Sequence, residues 1–69
     1  MRKVTVKDPL GTRIKYMMLE TVEDVANYPY LSFGDPKFMV EMIGEGKRVL
    51  INENGGYCFF LNDYHTIVS

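Results

Sequence analysis

The sequence predicts a mainly β domain of the β-rich α+β class, an antiparallel sheet of about five strands with one short helix. Three observations lead to this prediction. Residues 2–7 alternate between apolar and polar side chains, as a strand with one buried face does. Residues 47–62 contain two apolar segments around Asn54-Gly55-Gly56, which is a strong β-hairpin signal. A helical pattern with a clear N-cap, at about residues 21–28, ends at Pro29.

The 69 residues, 1–69, are expected to form a single small domain, because a chain of this length has no room for a second core. One cysteine excludes an intramolecular disulfide. No Cys/His cluster offers a structural zinc site, so neither a metal nor a cofactor is expected. Stability must therefore come from good packing or from self-association.

The first hairpin is predicted from residues 2–7 and 12–19. Val4 and Val6 share one face of the first strand, and the turn follows at Asp8-Pro9-Leu10-Gly11. In the returning strand two sets of side chains alternate, Ile14, Tyr16 and Met18 on one face and Arg13, Lys15 and Met17 on the other.

The helix at about residues 21–28 has a capping signal. Thr21 is a favourable N-cap, and Asp24 follows three residues later. Val22, Val25 and Ala26 form the apolar stripe. So short a helix needs a sheet to pack against.

Residues 36–43 fit two structures. Asp35 as N-cap with Pro36 in the first turn would begin a short helix. Phe38, Val40 and Met42 also alternate with their neighbours, as in a strand. We favour the strand, and a last short strand is possible within 64–68.

The second hairpin is apolar on both faces. A three-residue loop at 54–56 would group Val49 and Ile51 with Tyr57, Phe59 and Leu61, and would leave Leu50, Cys58 and Phe60 on the other face; a two-residue loop would regroup them. Both faces must then be covered. The helix and the aromatic-rich loop at residues 28–33 can cover the second face. Alternatively, the sheet can curl into a barrel resembling small SH3- or OB-like barrels, or a second subunit can pack there. We expect a homo-oligomer, a dimer or higher.

Charge is unevenly distributed although the net charge is only −1. Residues 1–15 hold five basic side chains and one acidic one, whereas residues 16–46 hold one basic and six acidic ones. The two segments can neutralise each other, or the basic hairpin can bind nucleic acid or an acidic partner. The candidate nucleic-acid-binding residues are Arg2, Lys3, Lys7, Arg13, Lys15 and Tyr16. The pI of about 5.7 argues against strong DNA binding.

Catalysis is not expected. Cys58 lies within the apolar segment 57–61, which makes a thiol unreactive. Asp63 and His65 would share one face of an extended segment, but no nucleophile or second acid accompanies them in sequence.

Localisation is expected to be cytoplasmic. The longest uncharged apolar run, 57–61, is too short to span a bilayer. The first residues lack the apolar stretch of a signal peptide, and a lone cysteine suits a reducing compartment.

The aromatic loop is the first candidate for partner binding. Aromatic residues beside a proline are typical of interface hot spots. We therefore assign a protein-binding site to Tyr28, Tyr30, Leu31 and Phe33. The alternative is that these side chains fold back and cover the hydrophobic core. We therefore predict a small non-enzymatic binding protein, a regulator, adaptor or inhibitor that contacts a protein of unknown identity. The alternative is a nucleic-acid-binding module that uses the basic hairpin.

Overall fold

The computed structural model describes residues 1–28 and 35–69. Within them, one antiparallel sheet has the strand order β4-β3-β2-β1-β5. The strands are β1 (Arg2–Lys7), β2 (Arg13–Leu19), β3 (Val49–Asn52), β4 (Tyr57–Phe60) and β5 (Thr66–Ile67), and the helices are α1 (Val22–Asn27) and α2 (Pro36–Gly44). The prediction of a mainly β fold with five antiparallel strands is confirmed.

The first hairpin has the predicted arrangement. Val4 pairs with Tyr16 and Val6 with Ile14, so these four side chains share a face. The carboxylate of Asp8 accepts hydrogen bonds from the backbone N–H groups of Leu10 (3.0 Å) and Thr12 (2.8 Å). Asp8 therefore holds the turn closed.

The second hairpin has a different register from the expected one. Asn52 pairs with Tyr57, which leaves a four-residue loop. The Asn52 side-chain oxygen accepts from the N–H of Gly55 (2.8 Å), and its carbonyl accepts from the N–H of Gly56 (2.9 Å), whose φ is +67°. These bonds stabilise the longer loop. The face groupings are consequently Val49, Ile51, Cys58 and Phe60 on one side and Leu50, Phe59 and Leu61 on the other.

Helix α1 has the predicted capping box. The Thr21 hydroxyl accepts from the N–H of Asp24 at 3.1 Å, and the Asp24 carboxylate accepts from the N–H of Thr21 at 3.2 Å. The tyrosine that follows α1, Tyr28, is its C-cap.

The expected strand within residues 36–43 is wrong, because this segment is helix α2. Asp35 is its N-cap and accepts from the N–H of Lys37 at 3.1 Å, with Pro36 in the first turn. Met39 and Ile43, one turn apart, are the side chains that α2 buries. Burial at helical spacing thus outweighs the alternating pattern.

The helices cover one face of the sheet, which we call the helix face. There Val25 of α1 with Met39 and Ile43 of α2 packs on the sheet residues Leu19, Val49 and Ile51. No helix in the described ranges reaches the length and apolar character needed to cross a membrane.

The other side, which we call the inner face, is buried without a helix. Its core is Val4, Val6, Tyr16, Met18 and Leu50. Phe59 of β4 and Ile67 of β5 both pack on this core, although a flat sheet would hold those edge strands about 19 Å apart. The sheet therefore curls around the inner core. A single chain thus buries β3 on both faces, whereas the side chains of β4 are exposed or only partly buried. The homo-oligomer stays a prediction.

Candidate functional site

The first hairpin presents four exposed basic side chains on one face. They alternate with the inner-core residues and lie on the same side of the sheet as Met17, which pairs with Lys3. We call this surface the basic face; it consists of Lys3, Lys7, Arg13 and Lys15.

Two of these cations are held close together. Asp8 donates its N–H to the Thr12 carbonyl at 3.0 Å, which makes 8 and 12 a hydrogen-bonded pair. Pairs alternate along an antiparallel ladder, so Lys7 and Arg13 form the next, non-hydrogen-bonded pair, with Cα atoms about 4.5 Å apart. Like charges placed directly opposite each other destabilise a hairpin. The fold thus tolerates a concentrated positive charge here.

No side chain of the basic face forms an ion pair with any residue the structure describes. The ion pairs found there join the N-terminal ammonium to Asp24 (2.7 Å) and Arg2 to Glu20 (3.2 Å), both near the opposite end of the hairpin. The carboxylate of Asp8 is engaged by its own turn. Four positive charges therefore stay available to an external anion.

Two other residues assigned to the nucleic-acid site, Arg2 and Tyr16, lie on the inner side of the hairpin. Tyr16 is 6% exposed, and its ring packs edge-on against Phe59 with centroids 5.3 Å apart. Burial, followed by the contact with the Tyr57 hydroxyl at 3.5 Å, raises the pKa of Tyr16 to about 12. The structure therefore does not bring Tyr16 to the basic face.

Two small depressions adjoin Lys3 and Lys15. One, of about 240 Å³, is also lined by Thr5 and Ser69. The other, of about 130 Å³, is also lined by Glu53 and by apolar strand residues. An anionic group that enters either depression would lie beside two lysine side chains.

The predicted protein-binding loop is only partly within the described residues. Tyr28 is 7% exposed, packs in the core of the helix face, and donates its hydroxyl to Glu53 at 2.9 Å. Tyr28 thus contributes to the core. Tyr30, Leu31 and Phe33 lie outside the described residues.

Of the residues weighed for catalysis, Cys58 lies apart from Asp63 and His65, which line one cleft. Burial raises the pKa of the Cys58 thiol, which disfavours the nucleophilic thiolate. Cys58 lies on the helix face, whereas His65 packs against Phe59 on the inner side, with ring centroids 5.2 Å apart. The described residues contain no group of three or more His, Cys, Asp or Glu side chains that could hold a metal ion.

A second polar surface escaped the sequence-based prediction. Lys47 and Arg48 line a cleft of about 470 Å³ together with Asn62, Asp63 and His65. The two groups of residues are more than a dozen positions apart, and the pairing of β3 with β4 brings them together. Neither group alone has a recognisable spacing.

Comparisons with models of protein families, with curated proteins and with solved structures find no match to this chain.

Proposed function

We propose that this chain is a small non-enzymatic binding protein, a regulator, adaptor or inhibitor, that uses its basic face to contact an acidic surface of a partner protein. The observation that carries the proposal is the set of four exposed cations on one face, without an ion-pair partner among the described residues. The proposed compartment is the cytoplasm, where the free thiol of Cys58 would stay reduced.

The charge distribution would orient such a partner. Helix α2 and its two caps contain Asp35, Glu41 and Glu45, and α1 contains Glu23 and Asp24. An acidic partner would be attracted by the basic face and repelled by the helices, which lie beside it on the same side of the sheet. This asymmetry favours a single binding orientation and predicts association that is faster at low salt.

An acidic protein surface fits the basic face better than single-stranded nucleic acid does. Proteins that bind single strands combine cations with aromatic rings on which bases stack. Tyr16, the ring assigned to that role, is buried on the inner side. Nucleic acid remains the second candidate, because the close Lys7–Arg13 pair could also neutralise adjacent phosphates.

The test is charge reversal at Lys7. We expect Lys7→Glu to weaken binding of a fluorescent oligoglutamate peptide about tenfold at low salt, measured by fluorescence anisotropy. The same substitution places a carboxylate opposite Arg13 in place of a like charge, so the free energy of unfolding should rise by about 0.2–1 kcal/mol. Weaker binding by a more stable variant cannot be caused by unfolding.

Lys37→Glu is the matched control, since it changes the charge equally. Lys37 is exposed on α2, outside the basic face and outside the cleft that Lys47 and Arg48 line. The control should bind the peptide as the unmodified chain does. The proposal would be contradicted if both variants weakened peptide binding equally, or if the unmodified chain did not bind the peptide. Tighter binding to an oligothymidylate of equal charge would favour the nucleic-acid alternative instead.

We also propose that the chain self-associates, through the groove of about 630 Å³ between the two helices. The groove is lined by Val22, Ala26 and Val40 and is bordered by Lys37 and Glu41. These two charges are one turn apart on α2. If a second copy packs antiparallel about a two-fold axis, Lys37 faces Glu41 of the other copy, and two symmetric ion pairs flank the apolar contact.

Sedimentation velocity tests this arrangement. We expect a concentration-dependent dimer of twice the 8.0 kDa chain mass. Glu41→Lys would place Lys37 opposite a lysine and shift the chain to monomer, whereas the double variant Lys37→Glu/Glu41→Lys restores complementary charges and should restore the dimer. A monomer at every concentration rules self-association out, and a dimer insensitive to both variants would place the interface elsewhere.

A further inference from the structure

The polar cleft is formed where the segment before β3 meets the connection between β4 and β5, and its lining shares no residue with the basic face. Its volume, about 470 Å³, falls in the range of small-molecule sites. One wall is formed by Lys47 and Arg48, which follow α2, and the other by Asn62, Asp63 and His65 in the connection between β4 and β5. Leu61 is the one large apolar side chain in this lining, so the cleft suits a polar ligand.

The walls of the cleft are held by backbone hydrogen bonds. The N–H of Lys47 donates to the carbonyl of Met42 at 3.0 Å, and the N–H of Leu61 donates to the carbonyl of Arg48 at 2.9 Å. The N–H of His65 donates to the Asn62 carbonyl at 3.1 Å. Both walls are thus positioned before any ligand arrives, which lowers the entropic cost of binding.

The hydrogen bonds of Asn62 fix the orientation of the His65 ring. The backbone N–H of Tyr64 donates to the Asn62 Oδ1 atom at 2.9 Å, so this atom must be the oxygen of the amide. His65 Nδ1 lies 2.8 Å from the same oxygen and must therefore be the donor. The neutral ring then has its hydrogen on Nδ1 and its lone pair on Nε2; the charged ring has a hydrogen on each nitrogen.

The charged groups of the cleft favour an anion. Lys47 and Arg48 form no ion pair among the residues the structure describes, and they face a single carboxylate, that of Asp63. The planar guanidinium of Arg48 can donate two parallel hydrogen bonds to one oxyanion, and the Lys47 ammonium adds a point charge. The Asp63 carboxylate supplies an acceptor for a hydroxyl group.

From this arrangement we propose that the cleft binds a small phosphorylated polyol or sugar, with the phosphate at Lys47 and Arg48 and a hydroxyl group at Asp63. The Nε2 atom of His65, whose ring is oriented by Asn62, is a further polar atom for the ligand. The lining of the site shares no residue with the basic face, and the site does not depend on the function proposed for that face.

The test uses the only histidine of the chain, whose ring resonances are unambiguous in a proton NMR spectrum. On titration with glucose 6-phosphate, we expect saturable shifts of the His65 ring resonances and of the backbone amides of 46–48 and 61–65. Arg48→Gln should weaken the affinity about tenfold, since it removes the bidentate donor. The Arg48 side chain is exposed, so an unchanged amide spectrum elsewhere will show that the variant is folded.

Three comparisons make the test decisive, one with a protein variant and two with other ligands. Lys15→Glu, which alters the basic face at a residue paired with Thr5 and outside the cleft lining, should bind glucose 6-phosphate as the unmodified chain does, so failure of this site and failure of the basic face are distinguishable. Glucose should produce no saturable shift, and inorganic phosphate a weaker one. The proposal is overturned if glucose binds equally well, if Arg48→Gln retains full affinity, or if no saturable shift is found.

Discussion

Leu50→Ala is expected to lower the free energy of unfolding by about 2–5 kcal/mol, because it leaves a cavity in the inner core. The Leu50 side chain is 0% exposed and belongs to the same cluster as Val4, Tyr16 and Met18. Domains of this size are typically stable by about 3–10 kcal/mol, so the substitution removes a large share of the total. Urea unfolding followed by circular dichroism measures the loss, as the chain has no tryptophan.

Leu10→Ala provides the matched control, because the same atoms are removed from a side chain that is 91% exposed at the tip of the first hairpin. Its effect should stay within about 0.5 kcal/mol. Similar losses for the two variants would contradict the inner core and, with it, the curled sheet that buries Leu50 without a helix.

Local signals were sufficient for the first hairpin and for α1. In each, the residues that decide the structure are close in sequence: Asp8 bonds within its own turn, and Thr21 and Asp24 form a capping box across three residues. The six candidate nucleic-acid-binding residues were predicted as one site, but the strand alternation divides them between two faces. Lys3, Lys7, Arg13 and Lys15 fall on one face, whereas Arg2 and Tyr16 occupy even-numbered positions on the other.

Features that depend on several contacts at once were not predictable. The loop of the second hairpin is set by the hydrogen bonds of Asn52 to Gly55 and Gly56, and the sequence signal is compatible with several loop lengths. The segment 36–43 fits both periodicities, and burial of Met39 and Ile43 against the sheet decides for the helix. The cover of the inner face comes from curling of the whole sheet, a non-local property.

The polar cleft could not be predicted from the sequence either, because it also depends on non-local contacts. Lys47 and Arg48 precede β3, and His65 precedes β5, at the opposite edge of the sheet from β4. The curl that buries Leu50 also brings β5, and with it His65, next to Phe59 of β4. The curling of the sheet therefore forms both the inner core and the proposed small-molecule site. We expect inner-core variants such as Leu50→Ala to weaken ligand binding only in proportion to the fraction of chains that they unfold.

The second large effect is expected at Asp24, whose carboxylate connects three parts of the chain. Its Oδ2 atom accepts from the N–H groups of Glu20 (2.9 Å) and Thr21 (3.2 Å), and its Oδ1 atom lies 2.7 Å from the N-terminal ammonium. Asp24→Ala removes these bonds and the capping box, at a cost of about 1–2 kcal/mol in the free energy of unfolding. Glu23→Ala, a neighbouring acid in the same turn, should cost less.

Low pH should remove the contribution of the Asp24 carboxylate to the free energy of unfolding. The bond from the N-terminal ammonium, followed by those from the backbone, lowers the pKa of Asp24 from 3.8 to about 2. As pH falls, the unfolded chain takes up the proton first, so the stabilisation is fully present above the unfolded pKa and is lost as pH drops through the folded one. The difference in urea midpoint between the unmodified chain and Asp24→Ala should therefore be constant between about pH 5 and pH 7 and shrink towards pH 2. A difference that stays the same at pH 2 would show that the charge of Asp24 contributes nothing, and that its role is packing alone.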